Sequence, residues 1–142
     1  MLDRGTKIYA AVLGALVLVA VFAVLYESPR VSALNRMLAE DPELSGYAYP
    51  FRVLRIEGTT AVMGTPRSAA VPVQRMIGAI EPGLAGRGGD DPGFQRAQQR
   101  LADLQAHARA RVLADPDITA VRWELDADWL RARGIDVPPA NP

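Results

Sequence analysis

The chain has no cysteine, one histidine and one lysine among its 142 residues, and its 16 basic side chains are balanced by 16 acidic ones. The missing cysteines exclude disulfide staples, thiolate zinc sites, iron–sulfur clusters and a cysteine nucleophile. Zero formal net charge removes the electrostatic case for nucleic acid, which binds through an excess of Lys and Arg. The glycine-rich stretch 86–93 lacks a Walker lysine and follows a helical pattern, whereas a phosphate cradle needs a strand before it. It reads as a spacer, and Asp90-Asp91 within it carries no metal-site pattern.

Hydrophobic residues make up 49% of the chain, and they are unevenly spread. Residues 8–26, IYAAVLGALVLVAVFAVLY, contain no charge, and Gly14 alone falls outside the hydrophobic set. As a helix this run spans about 28 Å, close to the hydrocarbon thickness of a bilayer. Lipid offers no partner for exposed backbone amides, so a spanning segment must be helical. Tyr9 and Tyr26 fall near the two ends, where amphipathic rings favour the headgroup region. A cleaved signal peptide is the rival reading. It would have an apolar core of about 7–15 residues followed by a small-residue site, but Val21-Phe22-Ala23 lies inside the run. Ala10 with Gly14 and Ala11 with Ala15 are spaced so that a second helix would approach closely, with lipid-facing filler as the alternative.

The expected organisation is a cytoplasmic tail over 1–7, a transmembrane helix over 8–26, an extracytoplasmic α+β domain over 27–136 and a disordered tail over 137–142. Orientation rests on Arg4 and Lys7 lying close before the run, against Arg30 and Arg36 after it, and on a cysteine-free domain. Fifteen Arg to one Lys, with abundant Ala, indicates a high-GC bacterial coding sequence. The expected location is therefore the bacterial cytoplasmic (inner) membrane, single-pass, with the domain in the periplasm.

Within the domain, Val31, Leu34 and Leu38 recur at helical spacing with Met37 beside them, and Asp41-Pro42 ends that helix. Residues 51–56 and 59–63 are β-prone runs joined through Glu57-Gly58, a hairpin in which Gly58 takes a positive φ. Val53 and Leu54 are adjacent apolar residues, so the first strand needs a bulge or two-sided burial. Val73, Met76, Ile77 and Ile80 predict a helix with Ser68 as one candidate cap and Pro72 near its first turn. Asp91-Pro92 starts a long helix with the stripe Phe94, Ala97, Leu101, Leu104, Ala108 and Val112. Thr119, Val121, Trp123 and Leu125 then alternate with Arg122 and Glu124 as a strand. Asp126 caps a last helix, ended by Gly134. The order is α-β-β-α-α-β-α: a small three-stranded antiparallel or mixed sheet, covered by helices over one face, after the transmembrane helix.

A helix ending in Ala39-Glu40-Asp41-Pro42 precedes a hairpin carrying Ile56-Glu57-Gly58-Thr59-Thr60-Ala61-Val62-Met63-Gly64-Thr65. Later, Ala114-Asp115-Pro116-Asp117-Ile118-Thr119-Ala120-Val121 leads into the final strand. This resembles the BON domain of bacterial envelope proteins. Gly58 and Gly64 match the family's two hairpin glycines, and Ile118 and Val121 match the aliphatic pair before its last strand. Residues 68–92 would be an insertion, Asp117 replaces the family's usual glycine, and the Trp129 helix is an addition. The resemblance implies a periplasmic, membrane-associated binding or envelope-stabilising module with phospholipid as a ligand class.

No arrangement of side chains rises to catalysis. His107 reads as a solvated surface residue sharing a helix face with Arg100, Asp103 and Arg111. Glu124, Asp126 and Asp128 alternate, but capping and solvent exposure explain them better than a metal. Trp123 and Trp129 read as packing residues. Tyr47, Tyr49 and Phe51 precede the hairpin in a loop around Pro50, flanked by Arg52, Arg55, Arg67 and Arg75. These seven form the candidate binding surface, for a protein partner or phospholipid. The expectation is a membrane-anchored binding module with no catalytic activity, cofactor or metal. The alternatives are an accessory subunit recognised through its membrane helix and a membrane-anchored enzyme.

Overall fold

The structure, a computed structural model, describes residues 3–26 and 28–139. Its elements are α1 (Arg4–Leu25), α2 (Pro29–Glu40), β1 (Val53–Glu57), β2 (Thr60–Thr65), α3 (Val73–Ile80), a 3-10 turn (Pro82–Leu84), α4 (Pro92–Leu113), β3 (Ala120–Leu125) and α5 (Ala127–Arg131). The fold is α+β, with a three-stranded mixed sheet and a long apolar helix at the N-terminus.

Helix α1 is long and apolar enough to cross a membrane. It starts at Arg4, earlier than the apolar run itself, because the Asp3 carboxylate accepts the Arg4 amide at 2.7 Å and caps the first turn. Arg4 and Lys7 therefore lie in its first turn, ahead of the apolar run. Residues 1, 2 and 27, the last of them the expected start of the domain, lie outside the described residues.

The sheet order is β1-β2-β3, with β1 antiparallel and β3 parallel to β2. A parallel neighbour cannot be reached by a tight turn, so the chain between β2 and β3 supplies a crossover through α3 and α4. Glu57 faces Thr60 across a two-residue loop whose first member, Gly58, has φ +62°. That is the glycine-first pattern of a type II′ hairpin, matched to the right-handed twist of the strands. Val53 pairs with Met63 and Arg55 with Val62, so Leu54 is the extra residue of a bulge. The bulge lets Val53 and Ile56 face the core while Arg55 and Glu57 face away from it.

Core residues from α2 (Val31, Leu34, Leu38), α3 (Met76, Ile77, Ile80) and α4 (Phe94, Leu101, Val112) form one cluster with Val53, Ala61 and Met63. These are the stripes that helical spacing picks out, with Leu104 half-buried. Ser68 does not cap α3. Pro72 holds that position, and the Ser68 hydroxyl instead accepts the Ala70 amide in the turn before it. Asp91 caps α4 by accepting the Gly93 and Phe94 amides at 2.8 and 3.1 Å. Helix α5 closes with bonds from Ile135 to Leu130 and from Gly134 to Arg131, with Gly134 at φ +74° and Ile135 buried. This is a Schellman closure. The tail does not begin as free chain at 137: Val137 is half-buried against the core, and Pro138 and Pro139 lie beside Trp123. Residues 140–142 lie outside the described residues.

Candidate functional site

The aromatic loop before β1 is not a surface. Tyr49 and Phe51 are core residues, and Tyr47 is half-buried. Tyr47 stacks parallel on Phe51 with ring centres 6.2 Å apart, while Tyr49 meets Phe51 and Trp129 edge-on at 5.0 and 5.1 Å. Phe51 also meets Trp123 edge-on at 6.3 Å. Such perpendicular contacts place a positive ring edge against a negative face. The expected exposed patch is corrected to an aromatic core, because the loop folds inward where its rings find each other. Burial and the neighbouring Glu81 charge push the Tyr47 hydroxyl up to about 12, against the opposing pull of Arg100.

Tyr49 turns inward toward Asp126. Its hydroxyl donates to Asp126 Oδ2 at 3.1 Å, and Asp126 Oδ1 accepts the Trp129 amide at 3.2 Å as the cap of α5. Arg52, exposed at its tip, approaches the same carboxylate at 3.7 Å. Burial, then the Asp126 charge and hydrogen bond, push the Tyr49 hydroxyl far above its ordinary range, although Arg52 opposes them. Tyr49 therefore stays a neutral donor. Gly64 is fitted to this pair: a Cβ there would lie 2.8 Å from Tyr49 Oη and 3.4 Å from Asp126 Oδ2. Trp129 is completed from outside by Arg133, whose guanidinium sits 3.8 Å from the ring centre.

His107 is not simply solvated either. Its Nε2 lies 2.9 Å from Asp41 Oδ2, and Arg111 Nε lies 3.1 Å from the same oxygen. Asp41 Oδ1 accepts the Glu43 and Leu44 amides. Burial raises the Asp41 carboxyl, but the His107 bond and charge and the two amides outweigh it and hold it below the usual carboxylate range. Asp41 thus accepts two amide bonds, meets His107 at hydrogen-bond distance and pairs with the Arg111 charge, and the group fastens the end of α2 to α4.

The carboxylates that alternate after Trp123 are dispersed: Glu124 pairs with Arg55, Asp126 caps α5, and Asp128 pairs with Arg131. Among the described residues no group of three or more metal-ligating side chains converges. The four arginines also part company. Arg52 joins Asp126, Arg55 joins Glu57 and Glu124, Arg67 borders a shallow hollow with Ser68 and Val73, and Arg75 borders another with Gly78 and Arg133. On α1, Ala10, Ala11, Gly14 and Ala15 are exposed, and a Cβ added at Gly14 would meet nothing within 4 Å.

No protein-family model, curated protein sequence or solved structure matches the chain. The surface must therefore be judged on its own geometry.

The sheet offers the most organised surface. Its outer face carries a lattice in which Arg55 bonds Glu57 at 2.8 Å and Glu124 at 2.7 Å, while Arg122 bonds Glu57 at 2.7 Å. Val62 lies fully buried between Arg55 and Arg122 in the strand register. Hydrogen bonds from Arg55 hold both glutamates below the ordinary carboxylate range. The two edges differ. At β1, the Asn35 side chain accepts the Val53 amide at 2.7 Å and donates to the Val53 carbonyl at 3.0 Å, which closes that edge beside the bulge. At β3, the Asp126 amide bonds the Thr65 carbonyl, and Gly64 turns its amide toward β1, so the parallel alternation points the main-chain groups of Ala120, Arg122 and Glu124 at β2 and those of Val121, Trp123 and Leu125 outward. A groove of about 760 Å³ lined by Trp123, Leu125, Val137, Pro138 and Pro139 runs beside this edge. The alternation of β3 was legible in the sequence; its position as an edge was not.

Proposed function

We propose that the chain is a single-pass, membrane-anchored interaction module without catalytic activity, its α1 helix in the cytoplasmic membrane and its α+β domain in the periplasm. One observation carries the reading. Among the described residues, every exposed large hydrophobic lies between Ile8 and Tyr26, with Leu18 71% and Val24 85% exposed. Apolar side chains all round a helix belong in lipid or against other helices, whereas the domain closes its own core. Arg4 and Lys7 at the start of α1 support a cytoplasmic N-terminus. The two best-organised acid groups, around Asp41 and Asp126, are used up in holding elements together, which supports binding over catalysis. The BON-like reading rests on the hairpin glycines Gly58 and Gly64 and the pair Ile118 and Val121, with a protein or phospholipid as partner. The row Ala10, Gly14 on an exposed helix favours a second reading, an accessory subunit held through its membrane helix.

The test is a compartment reporter fused to the C-terminus, combined with alkaline extraction of membranes. The expected result is full-length protein retained in the extracted membranes with the reporter active only outside the cytoplasm. A cytoplasmic signal reverses the orientation. A shortened, soluble product replaces the anchor with a cleaved leader.

A further inference from the structure

We propose that β3 pairs antiparallel with β3 of a second copy across a two-fold axis at Trp123, joining two three-stranded sheets into one of six. The inference rests on the reading of the domain as an interaction module and names its partner. The strand sequence Val121-Arg122-Trp123-Glu124-Leu125 is complementary to itself when reversed. With Trp123 opposite Trp123, Arg122 faces Glu124 of the second copy, Glu124 faces its Arg122, and Val121 faces its Leu125. Opposite charges directly across an antiparallel pair stabilise it, and like charges destabilise it. Centring the axis on Arg122 sets Arg122 against itself, and centring it on Glu124 sets Glu124 against itself. Trp123 is the centre that matches both charges and pairs the strand most fully.

The pleat agrees with this register. Val121, Trp123 and Leu125 are the residues whose main-chain groups turn outward, so they become the hydrogen-bonded pairs of the new ladder, and Arg122 with Glu124 becomes a non-hydrogen-bonded pair, in which side chains lie closer. The charged side chains meet on the outer face, where Arg122 and Glu124 are about half-exposed and already belong to the Arg55–Glu57 lattice. A guanidinium has five N–H donors, enough to hold Glu57 and a second carboxylate together. The apolar side chains meet on the other face, where the groove beside Trp123, Leu125 and Val137 receives the second copy's Trp123. The β1 edge cannot do this, since Asn35 occupies Val53 and the Leu54 bulge breaks the ladder.

The full-length chain, in native membranes and in detergent, supports two tests. It has no cysteine, so Trp123→Cys introduces a single thiol. The proposed axis brings two such thiols together with Cα atoms about 5.5 Å apart, within the range a disulfide spans. Mild oxidation is expected to yield a covalent dimer, whereas Gln98→Cys on the exposed face of α4 stays monomeric. Cross-linking of Trp123→Cys no faster than Gln98→Cys overturns the proposal. The second test uses charge and leaves Trp123 intact. Arg122→Glu alone and Glu124→Arg alone each place like charges opposite one another, so both are expected to lose the dimer mass measured by light scattering. Mixing the two variants restores every opposite pairing, and the dimer should return as a hetero-pair. Single variants that stay dimeric, or a mixture of folded chains that stays monomeric, overturn the register. Protein that remains in extracted membranes but fails both tests overturns strand pairing alone and leaves the anchored module standing.

Discussion

Asp41 and Asp126 are both carboxylates only 5% exposed at a helix end, and the protein satisfies them in opposite ways. Asp41 closes α2 and is held from the surface side: two amides on one oxygen, and His107 and Arg111 reaching over from α4 to the other. Asp126 opens α5 and is held from the core side, by the fully buried Tyr49 hydroxyl and the Trp129 amide, with Arg52 at a distance. A carboxylate met by cations on flexible, partly exposed stems is a clip that can relax when altered. One met by a buried ring is part of a packed fit, where neighbours have nowhere to go. The Asp126 node should therefore be brittle and the Asp41 node tolerant.

Gly64→Ala is the sharpest way to break the comparison. The new methyl would stand 2.8 Å from Tyr49 Oη, the tip of a ring with 0% exposure. Overpacking and the strained Tyr49–Asp126 bond together should cost about 3 kcal/mol, read as a lower urea midpoint at unchanged slope. Tyr49→Phe removes the donor without adding volume. Asp126 Oδ2 is left with Arg52 at 3.7 Å, and the expected loss is about 1–2 kcal/mol in the same measurement. If Gly64→Ala proves no more damaging than Tyr49→Phe, the close fit at Gly64 is wrong.

How much of this was legible in the sequence depended on distance along the chain. The Asp126 cap, the Gly58 turn, the Leu54 bulge and the apolar stripe of α4 are local features, written in spacing and in residues with one strong conformational preference. Tyr49 meets Asp126 across 77 positions and His107 meets Asp41 across 66. A single hydrogen bond between distant residues leaves no periodicity to detect. The inward turn of the aromatic loop is hidden from local pattern for the same reason. Three rings around a proline look alike whether they face solvent or the end of a sheet, and only Asp126 and Trp129, brought in by the crossover, decide that they turn inward. The β3 edge also depended on topology, since alternation marks a strand without saying which neighbours it has.

The tolerant side of the comparison is tested by Asp41→Asn, the smallest effect of the three. An amide can still accept the Glu43 and Leu44 amides at one atom, but its NH2 group faces the donors of His107 and Arg111 at the other. Because the folded Asp41 carboxyl is held below its ordinary range, its contribution is fully present above the unfolded value of about 3.9 and is lost as pH falls through the folded one. The wild-type chain should therefore exceed the variant in stability at neutral pH, and the difference should shrink as pH is lowered below about 4. Urea midpoints of both chains across that range provide the check. A difference that stays constant into acid would mean that the charge on Asp41 contributes nothing and that its two amide bonds alone hold the end of α2. At neutral pH the loss should remain below that of Tyr49→Phe, since His107 and Arg111, 28% and 44% exposed, can turn to water when their acceptor is gone.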